Sequence, residues 1–78
     1  MSTNLAPWKV AAGTTTTIRT GTNKVEMRVY NDGPGSVFVK DSKKKVVLLR
    51  AGSACDFEGT IVFVTANAAD SIGKYERL

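Results

Sequence analysis

The sequence predicts an all-β fold: a compact antiparallel β-sandwich, jelly-roll-like or Greek key, of about eight short strands. Three observations carry this. Apolar and polar residues alternate with period two, or β-branched residues run in short blocks, with turn residues roughly every eight to twelve positions. No apolar stripe of helical period survives, because Asn67, Asp70, Ser71 and Gly73 interrupt the one stretch with helix formers, "TANAADSIGKYERL". No helical segment long enough for a crossover separates the strands, which argues against a parallel sheet.

Taken in order, the first strand runs from Trp8 to Ala11 and ends at Gly13. Thr14 to Thr20 follows; its consecutive threonines suit a pleated surface and disfavour a helix. Gly21 to Asn23 is a turn. In Val25 to Asn31, the apolar Val25, Met27 and Val29 alternate with Glu26, Arg28 and Tyr30, which marks a half-buried strand. Asn31 to Gly35 reads as a hairpin connection, since Pro34 cannot donate to a ladder and Gly33 and Gly35 allow unusual dihedrals. Val37 to Lys40 alternates again. The polar "DSKKK" then leads into Val46 to Arg50, apolar on both faces and so either central or covered on both sides. Ala54 to Phe57, Thr60 to Ala66 and Ile72 to Arg77 complete the set. A faint internal repeat accompanies them. "VAAGTTTTIRT" from Val10 can be laid on "LRAGSACDFEG" from Leu49, and "RVYNDGPGSVFVK" on "FVTANAADSIGKY", either as two similar β motifs or as chance.

Seventy-eight residues make one domain with a thin core. Residues 1–7 are expected to be a flexible arm and 8–78 a single sandwich. Domains this small often add a disulfide, a metal or a partner subunit. One cysteine, Cys55, excludes an intrachain disulfide, and the lack of histidine leaves no zinc set, so no cofactor is expected and oligomerisation remains. Histidine-based triads are excluded as well. Asp56 and Glu58 would raise the Cys55 pKa, so that residue reads as a small core side chain rather than a nucleophile. The chain is therefore not expected to be an enzyme. Its net charge of +4 suits solubility and falls short of a dedicated nucleic-acid binder. No apolar run approaches the roughly 18 residues of a membrane span, and the N-terminus lacks the pattern of a signal peptide.

Two features concern contacts. Lys40, Lys43, Lys44, Lys45 and Arg50 could meet an anionic surface, or could simply solvate a loop and protect a strand edge. Trp8, beside Pro7, either plugs the sandwich or anchors a subunit interface.

The pattern from Val29 onward resembles small structural proteins of tailed bacteriophages, of head-decoration and fibre-base type. It rests on "VYNDGPGSVFVKD", "LLRAGSACDFEGTIVFVTAN" and "KYERL", about two thirds of the chain. The resemblance implies a β-sandwich, often trimeric, that sits on or extends a capsid or tail. It transfers no site residues and leaves the lysine cluster and the threonine-rich half unexplained. The expectation is thus a virion structural protein, made in the host cytoplasm. Its partners would be itself, as a trimer, and a capsid or tail protein, not a membrane. The alternative is a small basic β-domain that binds an anionic polymer, nucleic acid or acidic glycan, through the Lys43–Lys45 loop.

Alternation nominates Met27, Val29, Val37, Val39, Leu48, Ile61 and Phe63 for the interior. It leaves Val47, Leu49, Val62 and Val64 as an apolar row for a neighbouring subunit. Sequence does not label the two faces, so either row could be the core. Val62→Lys is therefore expected to cost folding or association, read by circular dichroism and sedimentation. A folded variant of unchanged mass would show that this row meets water.

Overall fold

The computed structural model describes residues 5–19 and 25–78. Eight strands form: β1 Leu5–Val10, β2 Thr15–Arg19, β3 Val25–Pro34, β4 Val37–Asp41, β5 Val46–Leu49, β6 Ala54–Gly59, β7 Ile61–Ala66 and β8 Ser71–Arg77. They build two four-stranded sheets, a front sheet ordered β1-β8-β3-β6 and a back sheet ordered β2-β7-β4-β5, with every pairing antiparallel. This is the strand order of a jelly roll. The slab measures 33 × 28 × 16 Å, so its two broad sides are the outer faces of the two sheets.

Strand positions agree with the alternation, but two connections differ. Asn31–Gly35 is not a hairpin: β3 belongs to the front sheet and β4 to the back, so this segment arches between them. The β4–β5 connection through Lys43–Lys45 is instead a hairpin, the one place among the described residues where consecutive strands pair. Nor are Leu5, Ala6 and Pro7 part of the arm expected for residues 1–7: they pair with Glu76, Tyr75 and Lys74. Residues 1–4 and the turn expected at Gly21–Asn23 lie outside the described residues.

The faint repeat has a structural counterpart. Advancing each strand number by four turns the front order β1-β8-β3-β6 into β5-β4-β7-β2, which is the back sheet read in reverse. The two glycine turns that anchor the repeat match. Thr14 N donates to Ala11 O and Ser53 N to Arg50 O, each at 3.0 Å, with Gly13 at φ 75° and Gly52 at φ 85°. Both glycines occupy left-handed backbone that other residues rarely adopt.

The interior holds Trp8, Val10, Met27, Val29 and Phe57 from the front sheet. Ile18, Val37, Val39, Leu49, Val62, Val64 and Ala66 come from the back. Expectation and structure agree for Met27, Val29, Val37 and Val39. On β5 and β7 the rows are exchanged: Leu48 and Phe63 are 44% and 40% exposed and Ile61 is half-buried, whereas Leu49, Val62 and Val64 are buried. Register explains the exchange. β4 lays Val37 against Leu49 and Ala66, and Val39 against Val47 and Val64, so those partners share its inward face. Leu49, Val62 and Val64 are therefore not a subunit surface, and Val47 is half-buried against the core. Trp8 is likewise a plug. Its indole lies over Gly73, where any Cβ would collide with it, and its Nε1 donates to Lys74 O at 3.2 Å.

One polar residue stands at a core position of β3. Asn31 continues the inward row of Met27 and Val29, and the register shifts there in a bulge between Asn31 and Gly33. Its Nδ2 donates to Gly35 O and Leu49 O, both at 2.8 Å. Its Oδ1 accepts from Gly33 N at 2.8 Å and from the Ser71 hydroxyl at 2.6 Å. Its backbone N–H and C=O bond to Ser53 O and Gly52 N. Asn31 thus joins β3, the arch, the end of β5 and the start of β8. Asn31→Ala would leave several buried partners unsatisfied, at about 1–3 kcal/mol for each group that water cannot reach. A loss of about 3 kcal/mol or more is expected in urea unfolding. A loss below about 1 kcal/mol would show that the arch holds without this network.

Candidate functional site

Strand periodicity sends every second side chain outward, so each sheet has a solvent face whose chemistry can be read strand by strand. The front face is charged and carries two cross-strand ion pairs. Arg28, opposite Asp56 in register, donates to its carboxylate through Nε at 2.7 Å and Nη2 at 3.2 Å. Lys74 pairs with Asp32 at 3.1 Å and lies over the Tyr30 ring. The Tyr30 hydroxyl donates to Glu76. Such cross-strand pairs on an open face are each worth a few tenths of a kcal/mol, and they keep the face wet. Along its β1–β8 side runs a groove of about 540 Å³ lined by Pro7, Trp8, Ile72 and Gly73, with Lys9, Asp32 and Lys74 at its rim.

The back face is different. Leu48, Phe38, Thr65 and Thr15 stand side by side in one row; Val46, Lys40, Phe63 and Thr17 form the next; Ile61 and Arg19 begin a third. Phe38 and Phe63 are 40% exposed, Leu48 44% and Val46 57%. No acidic residue stands in these rows. An apolar surface spanning neighbouring strands is what a contact face requires and what a solvated face avoids. This row follows from the exchange on β5 and β7. Phe38 was already legible as the outward partner of Val37 and Val39, but Leu48 and Phe63 required the register.

The lysine turn is built as a hairpin rather than a cationic row. The buried Asp41 carboxylate accepts from Lys43 N and Lys45 N, both at 2.9 Å, and Lys44 sits at φ 64°. Lys43 pairs with Glu58, while Lys45 reaches Asp56 O at 3.1 Å and covers the Phe57 ring. Together with Glu26 these groups line a groove of about 250 Å³ between the hairpin and β6. Four carboxylates around two ammonium groups do not present a cationic surface. Arg50 stands apart, beyond the other end of β5. Cys55 is half-buried against the core, in keeping with a packing role. Among the described residues no cluster of three or more His, Cys, Asp or Glu side chains could hold a metal ion. Nor do the described residues contain any helix long and apolar enough to cross a membrane.

Fold and faces together define a small jelly roll with one charged face and one apolar face. Comparison of the chain with protein-family models, curated proteins and solved structures finds no match.

The front-face charges set the acid behaviour. The hydrogen bonds and charge of Arg28 hold the Asp56 carboxyl below its ordinary 3.8, and the same pair raises the Arg28 guanidinium. A carboxyl depressed on folding stabilises above its unfolded pKa and loses that contribution as pH falls through the folded value. Arg28→Gln is therefore expected to be less stable than the parent at pH 7, with the two urea-unfolding curves converging below pH 3.8. Curves that stay parallel down to about pH 2 would show that the pair contributes nothing.

Proposed function

We propose that this protein is a non-enzymatic virion structural protein, a capsid-decoration, head-fibre or tail accessory that self-assembles and docks on a virion surface. The observation that carries the reading is the back face: four large apolar side chains exposed across neighbouring strands, with no acid among them. Such a face is costly in water and finds its use against another protein. The architecture agrees by analogy, since double-sheet jelly rolls recur in viral capsid domains, though a fold by itself assigns no function. The length agrees too, because a 78-residue chain without a disulfide gains stability from burying surface in an assembly. Self-association, with a trimer as the expected number, and a capsid or tail protein as receptor are both part of this reading.

The test is co-sedimentation of purified protein with capsids and with tails, measured separately. Binding to one of them is expected, and Phe38→Ser with Leu48→Ser should weaken it at least about tenfold while the fold persists. Absence of binding to both would overturn the reading.

A further inference from the structure

The back face carries two cations, Lys40 and Arg19, and neither has an ion-pair partner among the described residues. Lys40 stands near the middle of the face, between Val46 and Phe63 in register. On the front face, Arg28 is used by Asp56 and Lys74 by Asp32. That leaves three front-face charges without an ion pair among the described residues: the exposed Glu26, Glu76, which bonds the Tyr30 hydroxyl and stands opposite Arg28 in register, and Lys9 at the groove rim. The same face has its own apolar elements: the groove floored by Pro7 and Ile72, with Ile72 56% exposed, and Leu5 49% exposed. One side of the slab is therefore apolar with unmatched positive charge. The other is grooved, and its unpaired acids Glu26 and Glu76 outnumber its one unpaired cation, Lys9.

We infer that the back face of one copy docks on the front face of a second copy of this chain, in a heterologous contact that sets Lys40 near Glu76 and seats back-face aromatics against the β1–β8 groove. The inference rests on self-assembly as part of the proposed function and specifies its geometry. Two back faces packed on each other would oppose Lys40 and Arg19 with like charges across a desolvated surface, which disfavours an isologous dimer. Size permits such a contact, since a broad side of the slab, about 33 × 28 Å, can supply the roughly 800 Å² that each partner gives to a standard interface. A heterologous contact closes a ring if the rotation between copies permits and otherwise extends as a stack. In a stack, the terminal copy keeps its back face free for the virion, as a fibre requires.

Sedimentation velocity over a wide micromolar range, together with a charge swap, tests this. The wild type should reach species larger than a dimer, and raised salt should weaken them as screening tightens. Lys40→Glu alone and Glu76→Lys alone should each weaken association at least about tenfold. The two combined in one chain should restore it, because every contact then has the pair reversed. Both positions lie outside the core, and circular dichroism verifies that each variant folds. A monomeric wild type, a dimer that Lys40→Glu strengthens, or a double variant that fails to recover would each overturn the inference. Particle binding separates the two claims. A monomer that still binds capsids or tails overturns the stacking alone, and an oligomer that binds neither overturns the virion role alone.

Discussion

Asn31 is the residue on which the two sheets depend. β3 lies inside the front sheet and β4 inside the back, so the chain must leave one layer and enter the other between two interior strands. Crossing there buries backbone groups that neither ladder can satisfy. The Asn31 amide supplies what is missing, with two donors to the Gly35 and Leu49 carbonyls and one oxygen for Gly33 N and Ser71. An aspartate would lack the donors, and an apolar residue would lack both. No described buried side-chain nitrogen or oxygen is left without a partner, which is the condition for a polar residue to specify a core rather than disrupt it. Asp41 serves the β4–β5 hairpin in the same manner, with its carboxylate satisfying backbone N–H groups of the turn that follows it.

The scaffold is close to symmetric in connectivity and strongly asymmetric in surface. Exchanging the two halves of the chain exchanges the two sheets, and with them the two broad faces. The inner rows are apolar in both halves because both must fill one interior. The outer rows are free of that requirement and have diverged. One is a lattice of Arg28–Asp56 and Lys74–Asp32 pairs, and the other is Phe38, Leu48, Val46 and Phe63 interleaved with threonines.

The hairpin at Lys43–Lys45 shows how a basic cluster in sequence is remade by its neighbours. Lys43 and Lys45 reach across to β6, where Glu58, the Asp56 carbonyl and the Phe57 ring meet them. They close the end of the sandwich on the β5–β6 side. Lys40, at the head of that charged run, and Arg19 are the back-face cations without an ion-pair partner among the described residues.

Local periodicity determined a great deal. Alternation along β3 and β4 was enough to identify Met27, Val29, Val37 and Val39 as core, because each of those strands has polar or partly exposed residues on its other side. Glycine and threonine positions fixed where strands begin and end to within a few residues. Asn31 at a core-parity position was itself a signal, since a polar residue in an apolar row demands partners. Pairing was left to the tertiary structure. β5 and β7 are apolar on both sides, so nothing within either strand says which side faces in, and only their register against β4 decides that Leu49, Val62 and Val64 point inward. Whether a glycine-proline segment is a hairpin or an arch also depends on which strands lie beside it. The exposed apolar face and the buried Asn31 network are made of residues far apart in the chain, so only the assembled sheets bring them together.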